Sequence, residues 1–157
     1  MDLLWQELTF GLGSGPQVAH VLLRLVVAAL LGSLVGIQRQ RTHKPAGLRT
    51  HILVCLGSCL VVVACSGMGM SFDGQSRVIQ GILTGVGFIG AGSILKLSQE
   101  QEIKGLTTAA GVWMTATIGI ACGLGAIGIS LIATFMTMIV LVVVKAIEQR
   151  AARKIQE

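Results

Sequence analysis

The segment Val78–Ser93, VIQGILTGVGFIGAGS, constrains this chain more than any other. It is apolar along its length, yet it carries Gly81, Gly85, Gly87, Gly90 and Gly92. Each glycine in a helix interior costs about 1 kcal/mol relative to alanine. In lipid the compensation is close packing, because small residues four apart let helix backbones approach each other. The segment therefore predicts the buried centre of a compact helical membrane bundle, with any functional site near it.

Composition agrees with a membrane protein. Of 157 residues 53% are hydrophobic and 12% charged, and the mean hydropathy is +0.81. A soluble domain carries about 25% charged residues, so too little polar surface exists here to face water all round. The net charge of +5 does not indicate a nucleic-acid partner. The cations fall in short clusters between apolar runs, no Tyr is present, and no nucleic-acid module is recognisable. Cys55, Cys59, Cys65 and Cys122 all lie in apolar runs, and their spacing fits no zinc pattern, which reads as buried thiols and no metal site. The start of the chain has Asp2 and Glu7 where a cleavable leader has basic residues.

A bilayer core takes about 20 helical residues, and five windows fit: 18–37, 52–70, 78–97, 106–124 and 126–144. The fold expected is all-α, a polytopic bundle of five transmembrane helices, with Gly123, Gly125 and Gly128 turning the last two into a hairpin. Arg39, Arg41, Lys44, Arg49, Lys96, Lys104, Lys145, Arg150, Arg153 and Lys154 share one side. The positive-inside rule makes that side cytoplasmic and the amino terminus external. Residues 1–17 are then an extracytoplasmic segment, 18–144 the membrane domain and 145–157 a short basic tail, extended into the cytosol or lying on headgroups.

Two constellations are candidates for a site on the cytoplasmic face. In GIQRQRTHKPAGLRTHILV, Pro45 and Gly47 force a turn between helix ends, and Thr50 is placed to cap the second helix. Arg39, Arg49 and His51 around that turn serve either as orientation charges or as a site for an anion, a phosphate or an acidic partner. Of these, Arg49 is expected to matter most, held against Glu100, Glu102 or the carbonyl end of the third helix. Thr107 and Thr108 in GLTTAAGVW either cap and pack the fourth helix or line a polar path. At the opposite face Asp73 and Arg77 are spaced for an i, i+4 ion pair, and Arg24 is placed to snorkel outward. Gly32 with Gly36, Gly81 with Gly85, and Gly111, Thr115, Gly119 and Gly123 form stripes for packing within the chain or between copies, a dimer being the default. No catalytic constellation and no cofactor motif is evident, so no enzyme is expected.

These motifs resemble the MgtC/SapB family of bacterial inner-membrane proteins. Gly32 to Gly36 leading into GIQRQ, PAGLRTHILV at Pro45–Val54, TGVGFIGAG at Thr84–Gly92 and GLTTAAGVW at Gly105–Trp113 occur in that family's order, over residues 22 to 144. The resemblance implies a bundle of about five helices with the basic loop in the cytoplasm. It implies a role in stress or virulence, with growth at low magnesium, and a proposed inhibition of the ATP synthase through its membrane sector. Magnesium transport is an older expectation for the family. Two departures stand out. Gln38 and Gln40 occupy positions where the family commonly has acids, and the soluble carboxyl-terminal domain of many members is missing from this sequence. Two functions follow as expectations: a non-enzymatic regulator that binds another membrane protein, or a transporter of magnesium or another small ion. The absence of a mid-membrane Asp or Glu weighs against the second.

Overall fold

The computed structural model describes residues 3–4, 15–97, 102–147 and 150. Most of the amino-terminal segment and of the basic tail lies outside the described residues.

Helix α1 spans Gly15–Arg41, with Pro16 in its first turn, where a missing N–H costs nothing, and Arg39 and Arg41 in its last, where cations suit the helix dipole. Thr42 closes it, its hydroxyl donating to the carbonyls of Gln38 and Arg39. Helix α2, Leu48–Gly67, begins at Gly47 without a side-chain cap of its own. The cap comes from α1: Gln40 Oε1 accepts the Leu48 N–H at 3.3 Å. Thr50 therefore does not cap α2 as expected. It lies inside the first turn, past the position from which a hydroxyl reaches the free N–H groups.

Helix α3, Phe72–Gly92, is capped by Ser71, whose hydroxyl accepts from the Gly74 N–H. It begins and ends earlier than the expected window. Ser93 turns its N–H and hydroxyl back onto the Gly90 carbonyl, and the chain leaves the helix into β1, Leu95–Leu97, paired antiparallel with β2, Glu102–Lys104. This small hairpin is the departure from an all-helical chain. Gly105, at φ +103, then starts helix α4, Leu106–Gly123. The Ser93 carbonyl lies where a side chain at Gly105 would go, so only glycine fits this junction. Helix α5, Ile127–Ile139, runs on through a π-helical turn at Val140–Val144.

The described chain thus has five helices, as expected, and four of them are long and apolar enough to cross a membrane. Those four are Gly15–Arg41, Leu48–Gly67, Leu106–Gly123 and Ile127–Ile147. Helix α3 falls short of the same measure because its glycines, Asp73, Gln75, Arg77 and Gln80 dilute the apolar content.

The centre of the bundle is α2 with α4, not α3. Helix α4 buries ten of its residues, whereas α3 buries Val86 and Gly90. Helix α2 is gripped from both sides. A methyl on Gly32 would lie 2.9 Å from the His51 carbonyl oxygen, and one on Gly36 2.7 Å from Leu48 Cα. On the other side Gly119 abuts the Cys55 backbone, and a methyl on Gly123 would lie 2.8 Å from the Cys59 carbonyl oxygen. A methyl on Gly90 would meet Ala109, whereas one on Gly81, Gly85, Gly87 or Gly92 would have no neighbour within 4 Å among the described residues. The expectation that Val78–Ser93 forms the buried centre is therefore corrected: its glycines permit close approach, but no helix among the described residues takes up most of that face. Cys55, Cys59 and Cys122 pack in the apolar cluster with Ala28, Leu31, Val35 and Ile118, and all four cysteines are buried and free.

Candidate functional site

The inward stripe of α1 carries Ala28, Leu31, Gly32, Val35, Gly36 and Arg39. Arg39 follows Val35 by four residues and Gly36 by three, so helical geometry delivers its side chain to the α2–α4 interface. There it is 3% exposed and Nη2 donates to Thr108 Oγ1 at 2.8 Å. His51, in the first turns of α2, is 0% exposed. Its Nδ1 lies 2.7 Å from Thr115 Oγ1. The Thr115 hydroxyl already donates to the Gly111 carbonyl at 2.8 Å, so it accepts from His51 and Nδ1–H is the donor.

Two buried polar atoms in this cluster have no partner among the described residues: Arg39 Nε and His51 Nε2. Both side chains border Gly111. A methyl built on Gly111 would lie 3.8 Å from His51 Cε1 and 3.9 Å from Arg39 Nε. Gly111 also lines a cleft of about 500 Å³ between α4 and α5, with Thr107, Met114, Thr137, Val140 and Leu141. Burying a guanidinium costs several kcal/mol unless its hydrogens are paired. One threonine hydroxyl covers little of that, and among the described residues no carboxylate pairs with Arg39.

The sequence-predicted residues divide accordingly. Arg39, His51 and Thr108 come together. Pro45 and Arg49 are exposed, Gly47 starts α2, and Thr107 borders the cleft. Arg49 makes no hydrogen bond or ion pair among the described residues. Glu100, one of its expected partners, lies outside them, as does the side chain of Glu102. Arg49 lies two residues before His51 and six before Cys55, so it falls off the inward face that those two residues set on α2. Asp73 and Arg77 are both exposed and form no ion pair within 4.0 Å, since two solvated side chains gain little by meeting.

Sequence reasoning missed three contacts. Thr115, read as part of a packing stripe, orients His51. Gln38 Nε2 donates to the Leu141 carbonyl at 3.2 Å, inside the π-helical turn. Arg24 does not snorkel outward: Nη1 donates to the Gly123 carbonyl at 2.8 Å, capping the end of α4. The signal for both arginines was the four-residue spacing to Ala28 and Val35, which puts Arg24 and Arg39 on one helix face.

The sequence pattern of the MgtC family matches residues 25–150, and that range holds Arg39, His51, Thr108, Gly111 and Thr115. The chain belongs to the MgtC family. It is 43% identical over 129 residues to Protein SrpB of Synechococcus elongatus, covering 75% of this chain and 71% of that protein. It is 41% identical over 145 residues to the putative magnesium transporter YhiD of Escherichia coli K12, covering 88% of this chain and 66% of that one. Against Protein MgtC of Salmonella typhimurium it is 38% identical over 129 residues, covering 82% of this chain and 54% of MgtC. The chain thus spans about half to two thirds of the length of these last two relatives. No solved structure matches it. In MgtC-family terms, the cluster joins the basic loop motif to the threonine motif of α4, with Arg39 to Thr108 and His51 to Thr115 as the two ties.

Proposed function

We propose that this MgtC-family protein is a non-enzymatic, multi-pass protein of the bacterial inner membrane, with its basic end in the cytoplasm, that binds another membrane protein. Through that contact it modulates ion homeostasis, membrane potential or ATP synthesis under stress such as low magnesium. The observation that carries this reading is the open face of α3. Glycines of α1 and α4 are spent against α2, but Gly81, Gly85 and Gly87 stay without a neighbour among the described residues, beside a groove of about 520 Å³ lined by Gly57, Ile82 and Val86. Small residues exposed in lipid favour helix association. A second copy, giving a dimer, and the membrane sector of the ATP synthase, suggested by the family resemblance, are the candidate occupants.

Transport of magnesium or another small ion is the second reading, supported by the name that YhiD carries. The charged side chains reaching into the described bundle are the arginines at 24 and 39, and a divalent cation is repelled by both. Flux into liposomes holding the purified protein and a magnesium-sensitive dye separates the two readings. The regulator reading expects no flux above protein-free vesicles, and magnesium entry proportional to protein content would replace it with transport.

A further inference from the structure

We propose that the groove between α1 and α5 binds one anionic glycerophospholipid, with an acyl chain along its apolar walls and the phosphate between Arg41 and Lys145. The groove holds about 560 Å³, within the range of small-ligand sites. Its α1 wall is Leu34, Ile37, Gln38 and Arg41, which follow one another at i, i+3, i+4 and i+7 and so share one helix face. Its α5 wall is Met138 and Val142, and Lys145 follows about one turn later. The two helices run side by side in the same direction. Arg24 borders Gly125 just before α5, and further along both helices Gln38 donates to the Leu141 carbonyl. From Leu34 to Arg41 and from Met138 to Lys145 the chain therefore changes from apolar to cationic towards the same end, over about 10 Å.

Length and charge select the occupant. One leaflet of hydrocarbon is about 15 Å deep, and the groove lies within it, because Arg24 closes the other end of α1 against the α4–α5 turn. A partner's transmembrane helix needs the whole span, whereas a phospholipid needs one leaflet. Arg41 is exposed and Lys145 half-buried, and neither side chain has a hydrogen bond or ion pair among the described residues. A guanidinium and an ammonium at the membrane boundary suit a phosphate diester. The partial negative charge at the end of α1 opposes an anion there. It is blunted because the N–H groups of Thr42, His43 and Lys44 occupy the carbonyls of Gln38, Arg39 and Gln40. The Thr42 hydroxyl is spent on the same carbonyls, so binding rests on the two cations. Each cation near an anionic headgroup favours it about fivefold. The pair, less the opposition of the helix end, gives a preference of about tenfold. None of this depends on whether α3 takes a partner.

The test is native mass spectrometry of the full chain, released from micelles holding equal amounts of phosphatidylglycerol and phosphatidylcholine with matched chains. One phosphatidylglycerol should be retained per chain, in about tenfold preference. Arg41→Gln should lower that preference to about twofold. Arg49→Gln removes an exposed cation from the same end but outside the groove, and should leave it unchanged. Val142→Trp, at a half-exposed position, fills the apolar wall and should cut retention of phosphatidylglycerol. Leu34→Trp, equally exposed on the facing wall, gives the same readout if the first variant folds poorly. Glycerol 3-phosphate should not displace the lipid, because it lacks the chains. Equal retention of the two lipids would overturn the site and leave the groove to a protein partner. An equal loss of preference in Arg41→Gln and Arg49→Gln would overturn it by reducing the effect to the overall charge of this end. Displacement by glycerol 3-phosphate, or full retention by both tryptophan variants, would overturn it as well.

Discussion

Arg24 and Arg39 stand fifteen residues apart on the same face of α1, about 22 Å along the helix, and the fold uses them in opposite ways. Arg24 reaches the end of α4, where four carbonyls lack helical partners, and donates to one of them at Gly123. A cation at a helix carboxyl terminus meets both the hydrogen-bonding need and the dipole. Arg39 is buried deeper, at the start of α4, the positive end of that dipole, and gains a single threonine hydroxyl. One arginine closes the bundle, and the other is held where stability alone gives it little reason to be. A buried charge with an unpaired donor marks function more than architecture.

The comparison breaks first on loss of function. Arg39→Met should reduce complementation of a deletion strain at low magnesium to the level of an empty vector, with normal membrane abundance. Its unfolding free energy should change by less than about 1 kcal/mol, because removing a poorly partnered buried charge also removes its desolvation cost. Arg39→Lys should fail similarly, lacking the fork, whereas Arg49→Lys on the exposed face should grow as wild type. A normal Arg39→Lys would reduce Arg39 to an orientation charge.

Arg24→Met should show the reverse pattern. Leaving the Gly123 carbonyl unpaired should cost about 2 kcal/mol, read as a fall of about 6 °C in the thermal midpoint, with growth retained at permissive temperature. Growth loss without destabilisation would erase the distinction between the two arginines.

A smaller effect sharpens the structural half of the contrast. Gly125 turns α4 into α5 at φ +82, and a methyl there would lie 2.7 Å from Arg24 Nη2. Gly125→Ala should cost about 1.5 kcal/mol by chemical denaturation. Combined with Arg24→Met it should cost less than the sum, since both changes damage one contact. Strict additivity would place the strain in the turn alone.

The smallest pair tests the ends of α1 next to Arg39. Gln38 donates to the Leu141 carbonyl and Gln40 accepts from the Leu48 N–H. A carboxylate keeps only the accepting role. Gln38→Glu should destabilise by about 1 kcal/mol. Gln40→Glu should stay within about 0.5 kcal/mol of wild type or gain slightly, sitting at the amino terminus of α2. Equal losses would show that charge, and not the direction of the hydrogen bond, governs this end.

Much of the architecture was legible in the chain. Apolar runs of bilayer length gave the helices, because lipid leaves the backbone no partner outside its own helix. The four-residue spacing of Gly32–Gly36 and of Gly119–Gly123 marked surfaces of close approach. The sequence also put Arg39, His51 and Thr108 among the candidates by their residue types. Which of them meet was a matter of tertiary geometry. A four-residue glycine stripe reads the same whether α2 of the same chain packs on it, as for Gly119, or no described helix does, as for Gly85. Propensity and hydropathy are local sums, whereas a close approach requires two surfaces. For the same reason Arg49, fixed by its neighbours in sequence, seemed the better anchor, and Arg39 acquired its burial only when α4 brought Thr108 across from 69 residues away. The sequence determined which segments are long and apolar enough to cross a membrane and which faces allow contact. The tertiary structure alone decided that α2 is the axis, that Arg24 caps α4, and that Arg39 and His51 are buried side by side against Gly111.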